Sequence, residues 1–87
     1  MKILARPIEM IAWFKADGSI KPIKFRVLDE DEQYKVVVID QVVSVDKEKF
    51  AGNIMYLFRC QSQFGEEERL FEVKYEVDTC KWMLFKM

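Results

Sequence analysis

The side chains that most often carry acid–base and nucleophilic chemistry are scarce in this sequence. It contains no histidine and only two cysteines, Cys60 and Cys80. Histidine is the usual general base near neutral pH and the commonest metal ligand, so serine–histidine and cysteine–histidine pairs are excluded. A structural zinc site needs about four cysteine or histidine ligands, which one copy of this chain cannot supply. We therefore expect no catalytic nucleophile and no metal site.

Phosphate-binding loops and carboxylate sites are also poorly supported. The glycines Gly18, Gly52 and Gly65 are isolated and match neither the P-loop nor the dinucleotide fingerprint. The acidic runs at residues 29–32 and 66–68 lack the spaced ligand pattern of a calcium loop and are typical of solvated turns. The sequence thus predicts no cofactor and no enzymatic activity.

Tryptophan and basic residues could instead support binding. Trp is enriched at interface hot spots; we expect Trp82 to lie in the core, whereas core and surface both remain open for Trp13. The net charge is −1, but residues 1–26 carry six basic and two acidic side chains, a net charge of +4 against −5 for the remainder. Within this segment we predict a basic patch formed by Lys21, Lys24 and Arg26.

The chain is predicted to consist of β-strands, because β-branched and aromatic residues recur in short runs between charged or glycine-containing turns. The predicted strands cover residues 8–15, 20–28, 34–45, 53–62, 69–77 and 82–87. Asp17-Gly18 offers the positive φ of a hairpin turn. Asp40-Gln41 predicts a bend or a bulge, and residues 46–52 predict a helical turn or a loop. The predicted fold is all-β, an antiparallel meander of about six strands forming a barrel or a strongly curled sheet, with at most one short helical turn.

Length and the amino terminus define the expected organisation. A chain of 87 residues is too short to give two domains an adequate core each, so residues 1–87 are expected to form one domain. The apolar run before Arg6 is too short for a signal peptide or a membrane span. We therefore expect a cytoplasmic protein with reduced thiols and no membrane partner.

Four stretches of the chain also form a recognisable pattern: RPIEMI (6–11), DGSIKPIKF (17–25), YKVVVID (34–40) and FEVKYEVDTCKWML (71–84). This pattern resembles a small bacterial domain family of unknown function, which has a Pro-Ile-Glu start, a Gly-x-Pro-x-x-Phe hairpin and a Trp-x-Leu end. The chain departs from it in having Cys80 where glycine is usual, and extra residues between Gly18 and Pro22. The resemblance implies a compact β domain and supplies no catalytic residues.

Apolar residues outnumber the positions of a single core. Several fall on the strand parity opposite the better-defined core set, and some of that second face must be covered. These residues are Ile11, Trp13, Val37, Ile39, Met55, Leu57, Met83 and Phe85. The cover could be a second copy of the chain, a partner protein or the chain's own loops. We expect a protein-interaction or oligomerisation module that contacts a partner protein or a second copy through these residues.

Nucleic acid is the alternative ligand. In a small barrel, Lys21, Lys24 and Arg26 could follow the phosphates of a single strand, with Trp13 or Tyr56 stacking on a base. Three basic residues beside an acidic remainder predict weak binding.

Overall fold

The computed structural model describes residues 1–87 as one antiparallel sheet of seven strands. The strands are β1 (Ile3–Phe14), β2 (Ile20–Leu28), β3 (Tyr34–Val38), β4 (Gln41–Phe50), β5 (Asn53–Phe64), β6 (Glu67–Glu76) and β7 (Lys81–Lys86). The all-β, antiparallel prediction is confirmed. No helix of the structure is long and apolar enough to cross a membrane.

The strand count is seven rather than six because the predicted strand 34–45 divides into β3 and β4 at the expected bend. The prediction of a helical turn or loop at residues 46–52 was wrong, since β4 continues to Phe50. Phe50 pairs with Asn53, and the two residues between them have φ values of 50° (Ala51) and 85° (Gly52). Two successive positive φ values are those of a tight hairpin turn.

The strand order is β3-β2-β1-β7-β6-β5-β4. Strands β3 and β4 form the two edges of the sheet, although they are consecutive in sequence and only Ile39 and Asp40 separate them. The sheet is therefore not closed, and of the two predicted forms, a barrel or a strongly curled sheet, the barrel is not confirmed. A contact between distant strands shows that the sheet is curled. The ring centroids of Phe25 on β2 and Phe71 on β6 are 5.8 Å apart, although β6 is three positions from β2 in the strand order.

The core fills the concave side of this sheet. Its centre is aromatic: the Tyr75 and Trp82 ring centroids are 4.8 Å apart, and Trp82 is buried as predicted. Alternation along β6 places Phe71, Val73 and Tyr75 inward, as the sequence indicated. The buried hydrophobic residues are Ile8, Phe25, Ile39, Phe58, Cys60, Phe71, Val73, Tyr75, Trp82 and Leu84.

The link between β3 and β4 is a corner at which the chain passes from one edge of the sheet to the other. The Ile39 N–H donates to the Ile23 carbonyl of β2 at 2.8 Å, and the next N–H, of Asp40, donates to the Gln61 carbonyl of β5 at 3.1 Å. Adjacent residues therefore bond to β2 and β5, which are the second strands from the two ends of the strand order. This is the bend that the interruption at Asp40-Gln41 predicted.

Side chains also hold this corner. The Ser62 hydroxyl, which is buried, donates to the Val38 carbonyl at 2.6 Å. The Asp40 carboxylate accepts the Gln63 N–H at 2.7 Å. Because Val38 is the last residue of β3, these bonds tie the end of β3 to β5.

Replacing Ser62 with alanine tests this role. We expect Ser62→Ala to lower the free energy of unfolding by about 1–2 kcal/mol, since the Val38 carbonyl loses the hydroxyl that donates to it in a partly buried bond. Urea denaturation measures the change. Ser44→Ala, at a half-buried position on β4, is the control, with an expected change within about 0.5 kcal/mol. Equal effects of the two substitutions would show that Ser62 does not hold the corner.

Candidate interaction surface

The register of the first three strands decides which side chains face outward. Phe25 of β2 is opposite Met10 of β1 and Val37 of β3. Phe25 is buried, and Met10 and Val37 pack against the core. Because side chains alternate between the faces of a strand, the neighbours of Val37, namely Val36 and Val38, point to the outer side.

The outer side of these strands is widely exposed. The exposed fractions are 66% for Val36, 56% for Val38, 56% for Ile11 and 55% for Trp13. Two lysines lie among these apolar residues, opposite Trp13 and Ile11 on the paired strand. We call this surface the β1–β3 face, and define it by Ile11, Trp13, Lys21, Lys24, Val36 and Val38.

Strand β3 also presents unpaired backbone groups, because it pairs only with β2. Residues 23 and 39 are bonded across the two strands, as are residues 29 and 33. In an antiparallel pair, alternate residues direct both backbone groups toward the same neighbour. Lys35 and Val37 therefore bond to β2, whereas Tyr34 and Val36 direct their N–H and C=O groups to the free edge.

The three residues of the predicted basic patch lie on the same side of β2 but differ in charge pairing. The Arg26 Nε lies 2.6 Å from Glu9 Oε1, and this bond raises the pKa of Arg26. The Arg26 guanidinium also stacks 4.1 Å from the Tyr34 ring centroid. The five ion pairs of the structure include neither Lys21 nor Lys24. Of the three residues of the patch, these two lysines therefore carry the positive charge that is not paired within the chain.

Part of the predicted interaction surface was placed on the wrong face. Ile39 is buried, with 9% of its surface exposed, and Val37 is half-buried against the core. Val36 and Val38, which the prediction omitted, are the exposed valines of this strand. Apolar residues occupy both parities of this strand, so only its register with Phe25 distinguishes the inner side from the outer one.

The remaining predicted residues lie apart from the β1–β3 face, on the outer side of β5 and β7. All of them are half-buried: Met55, Leu57, Met83 and Phe85. Lys74 of β6 crosses this surface, with its Nζ 3.7 Å from the Phe85 ring centroid and 3.1 Å from Glu48 Oε1. Long charged side chains thus cover this second patch, and Ile11 and Trp13 are the predicted residues that remain freely exposed.

A cleft of about 660 Å³ lies where β1 diverges from the start of β7. Phe14, Tyr75 and Trp82 line it, together with the Glu76 carboxylate. That carboxylate accepts bonds from the Thr79 hydroxyl and the Asn53 amide, and these bonds lower the pKa of Glu76. The cleft is therefore mainly apolar, and Glu76 is already used in bonds within the chain.

The two cysteines occupy different environments, and both are free thiols. Cys60, on β5, is fully buried, and burial raises its pKa to about 12. Cys80 is exposed in the turn before β7, with a φ of 58°. This left-handed conformation favours glycine. No group of three or more histidine, cysteine or acidic side chains is placed to hold a metal ion.

Comparisons with known proteins add no relative. No protein-family model matches the chain, and neither a curated protein nor a solved structure does. The resemblance to a small bacterial β-domain family therefore stays a prediction from the motifs.

The thiol environments predict selective labelling. In the native protein at pH 8, we expect a disulfide reagent to modify Cys80 and to leave Cys60 protonated and unmodified, because the thiolate is the reacting form. Mass spectrometry of digested protein locates the label. The Cys80→Ser variant should react only after denaturation, and rapid labelling of Cys60 in that folded variant would contradict the buried placement.

Proposed function

We propose that this protein is a non-catalytic interaction module that binds an extended segment along the free edge of β3, with the β1–β3 face as the contact surface. One observation carries the proposal. Val36 and Val38 are each more than half exposed, and they lie on a strand that has no outer neighbour in the sheet. An unpaired edge is a template for another strand. Strand addition gives affinity through backbone bonds and specificity through alternate side chains.

The other edge of the sheet is less suited to pairing. Strand β4 contains four successive charged residues at positions 46–49, and Val43 is an unpaired bulge residue in its register with β5. Charges and bulges are devices that keep an edge strand from pairing. Strand β3 has one charged residue, Lys35, whose Nζ lies 3.8 Å from Asp29 Oδ2.

The chemistry of the β1–β3 face defines the segment that would fit. Alternate side chains of an added strand would lie beside Tyr34, Val36 and Val38, which favours β-branched or aromatic residues at those positions. Lys24 lies opposite Val38 on β2 and has no acidic partner, which favours a carboxylate on the segment near that end.

Peptide selection tests the proposal. Displayed random peptides of about ten residues selected on the immobilised protein should alternate apolar residues and contain an acidic one. Their affinity should fall about tenfold or more for Val36→Lys, because a lysine replaces the central apolar contact. The matched control is Val45→Lys, since Val45 is an exposed valine (51%) on β4.

Isothermal titration gives the affinities, and circular dichroism confirms that both variants fold. Peptides that bind Val36→Lys as well as they bind the unchanged protein would overturn the assignment to β3, as would peptides that lose affinity equally for both variants.

Single-stranded nucleic acid is a second candidate, favoured by one observation. Lys21 is directly opposite the exposed Trp13, and Lys24 is opposite Ile11, while the Lys15 Nζ lies 4.8 Å from the Trp13 ring centroid. An aromatic ring flanked by unpaired cations is the minimal unit for stacking a base and contacting phosphates. Because Glu9 neutralises Arg26, few phosphate contacts remain.

This candidate predicts weak, salt-sensitive binding. With Lys21 and Lys24 as phosphate contacts, the logarithm of the affinity should fall with the logarithm of salt concentration with a slope of about −1.4. Fluorescence anisotropy of a labelled single-stranded oligonucleotide measures it. Lys24→Glu should abolish binding, whereas Lys49→Glu on β4 should reduce it little. Absence of binding at low salt, or equal losses in both variants, would exclude this role for the β1–β3 face.

A further inference from the structure

We infer that the strand that pairs with β3 is β3 of a second copy of this chain, joined antiparallel with Val36 of each copy opposite the other across a two-fold axis. The inference rests on the proposed function, since it names the partner of the same edge. A two-fold contact uses one surface on both copies, so that surface must be complementary to itself. The register of β3, its charges and the acidic turn before it meet this condition.

Backbone direction restricts the register. Val36 directs its N–H and C=O outward, and residues two positions away do the same, namely Tyr34 and Val38. Antiparallel pairing requires outward-directed residues to oppose one another. With Val36 opposite Val36, Tyr34 of each copy is opposite Val38 of the other. The Val38 carbonyl already accepts the Ser62 hydroxyl of its own copy, so the Tyr34 N–H would be a second donor to that carbonyl.

The neighbouring registers are less favourable. A shift that sets Tyr34 opposite Val36 also sets Lys35 opposite Lys35, and like charges directly opposite each other destabilise a strand pair. The opposite shift, Val36 against Val38, pairs only residues 36–38 and leaves Tyr34 outside the contact. The symmetric register places Lys35 opposite Val37, so no like charges meet.

The symmetric register also buries the exposed apolar side chains of β3. Tyr34 is 54% exposed, Val36 66% and Val38 56%, and in this pairing each has an apolar residue directly opposite. Aromatic and β-branched residues form stabilising cross-strand pairs. Arg26 remains bonded to Glu9 of its own copy, so the contact does not break that pair.

Charge complementarity supports a second copy as the occupant. The turn that precedes Tyr34 is acidic at each of the positions 29–32. In the proposed pairing Tyr34 lies beside Val38 of the other copy. Within that other copy, Lys24 of β2 is opposite Val38. The acidic turn of one copy would therefore approach Lys24 of the other copy. Lys21 lies further along the same strand. Asp29 and Glu30 lie 3.8 Å from Lys35 and Arg6 of the same copy. Asp31 and Glu32 are therefore the carboxylates of each copy that remain for the unpaired lysines of the other copy.

Sedimentation velocity over a wide range of concentrations tests the inference. We expect a dimer that dissociates on dilution, conversion to a monomer in Val36→Lys, and an unchanged dimer in Val45→Lys. Monomers at all concentrations would overturn it. Open-ended polymers that Val45→Lys also disrupts would point to pairing of β3 with β4 and would equally overturn it.

A cysteine cross-link tests the register. Directly opposed residues of a bonded pair have Cα atoms about 5.5 Å apart, within the range of a disulfide. In a Cys80→Ser background, oxidation should join two copies of Val36→Cys and should leave Val45→Cys, the matched control, mainly uncross-linked. Equal cross-linking of the two would overturn the register.

These outcomes separate the inference from the proposed function. If the selected peptides bind along β3 while the chain stays monomeric, only the second copy as partner is wrong. If peptides do not depend on Val36 and the chain is monomeric, both fail.

Discussion

The corner at Ile39 and Asp40 is the constraint on which the rest of this structure depends. One N–H bonds to β2 and the next bonds to β5, so a continuous β-rich run must leave one edge of the sheet and enter the other. The buried Ser62 hydroxyl holds the end of β3 at this point. Beyond this corner β3 and β4 do not pair with each other, so the sheet is open and the chain has two edge strands.

The same corner determines which surface is available for binding. Ile39 is buried, so alternation along β3 sets Val37 inward and leaves Val36 and Val38 outside. Strand β3 is short and bonded on one side only, features of the less stable regions of a native fold. By contrast, β4 carries a bulge and a series of charges that discourage pairing. The proposed function follows from this asymmetry between the two edges.

Local signals in the sequence were sufficient for much of the fold. Strand β2 was predicted with its observed bounds, since Asp17-Gly18 marks the turn before it and its side chains alternate after Ile23. The bend at Asp40 was also visible, because polar residues interrupt a valine-rich run. The end of β4 was missed, since charged residues on both parities hide the alternation of an edge strand.

The candidate surface was harder to predict because it depends on contacts between strands. Where both parities of a strand are apolar, as at residues 36–39, only the register with Phe25 shows which side is inner. The position of Lys21 beside Trp13 likewise depends on the pairing of β1 with β2. Phe85 was expected to be exposed, but Lys74, distant in sequence, covers its ring.

Amide hydrogen exchange along β3 tests whether the outer edge of this strand is free, because it reports the two sides of the strand separately. We expect the Val37 N–H, bonded to β2, to exchange slowly at every protein concentration. The Val36 N–H should exchange fast in dilute solution and slow markedly when the concentration rises or a selected peptide binds. A Val36 N–H that is already as slow as that of Val37 in the dilute monomer would contradict a free β3 edge.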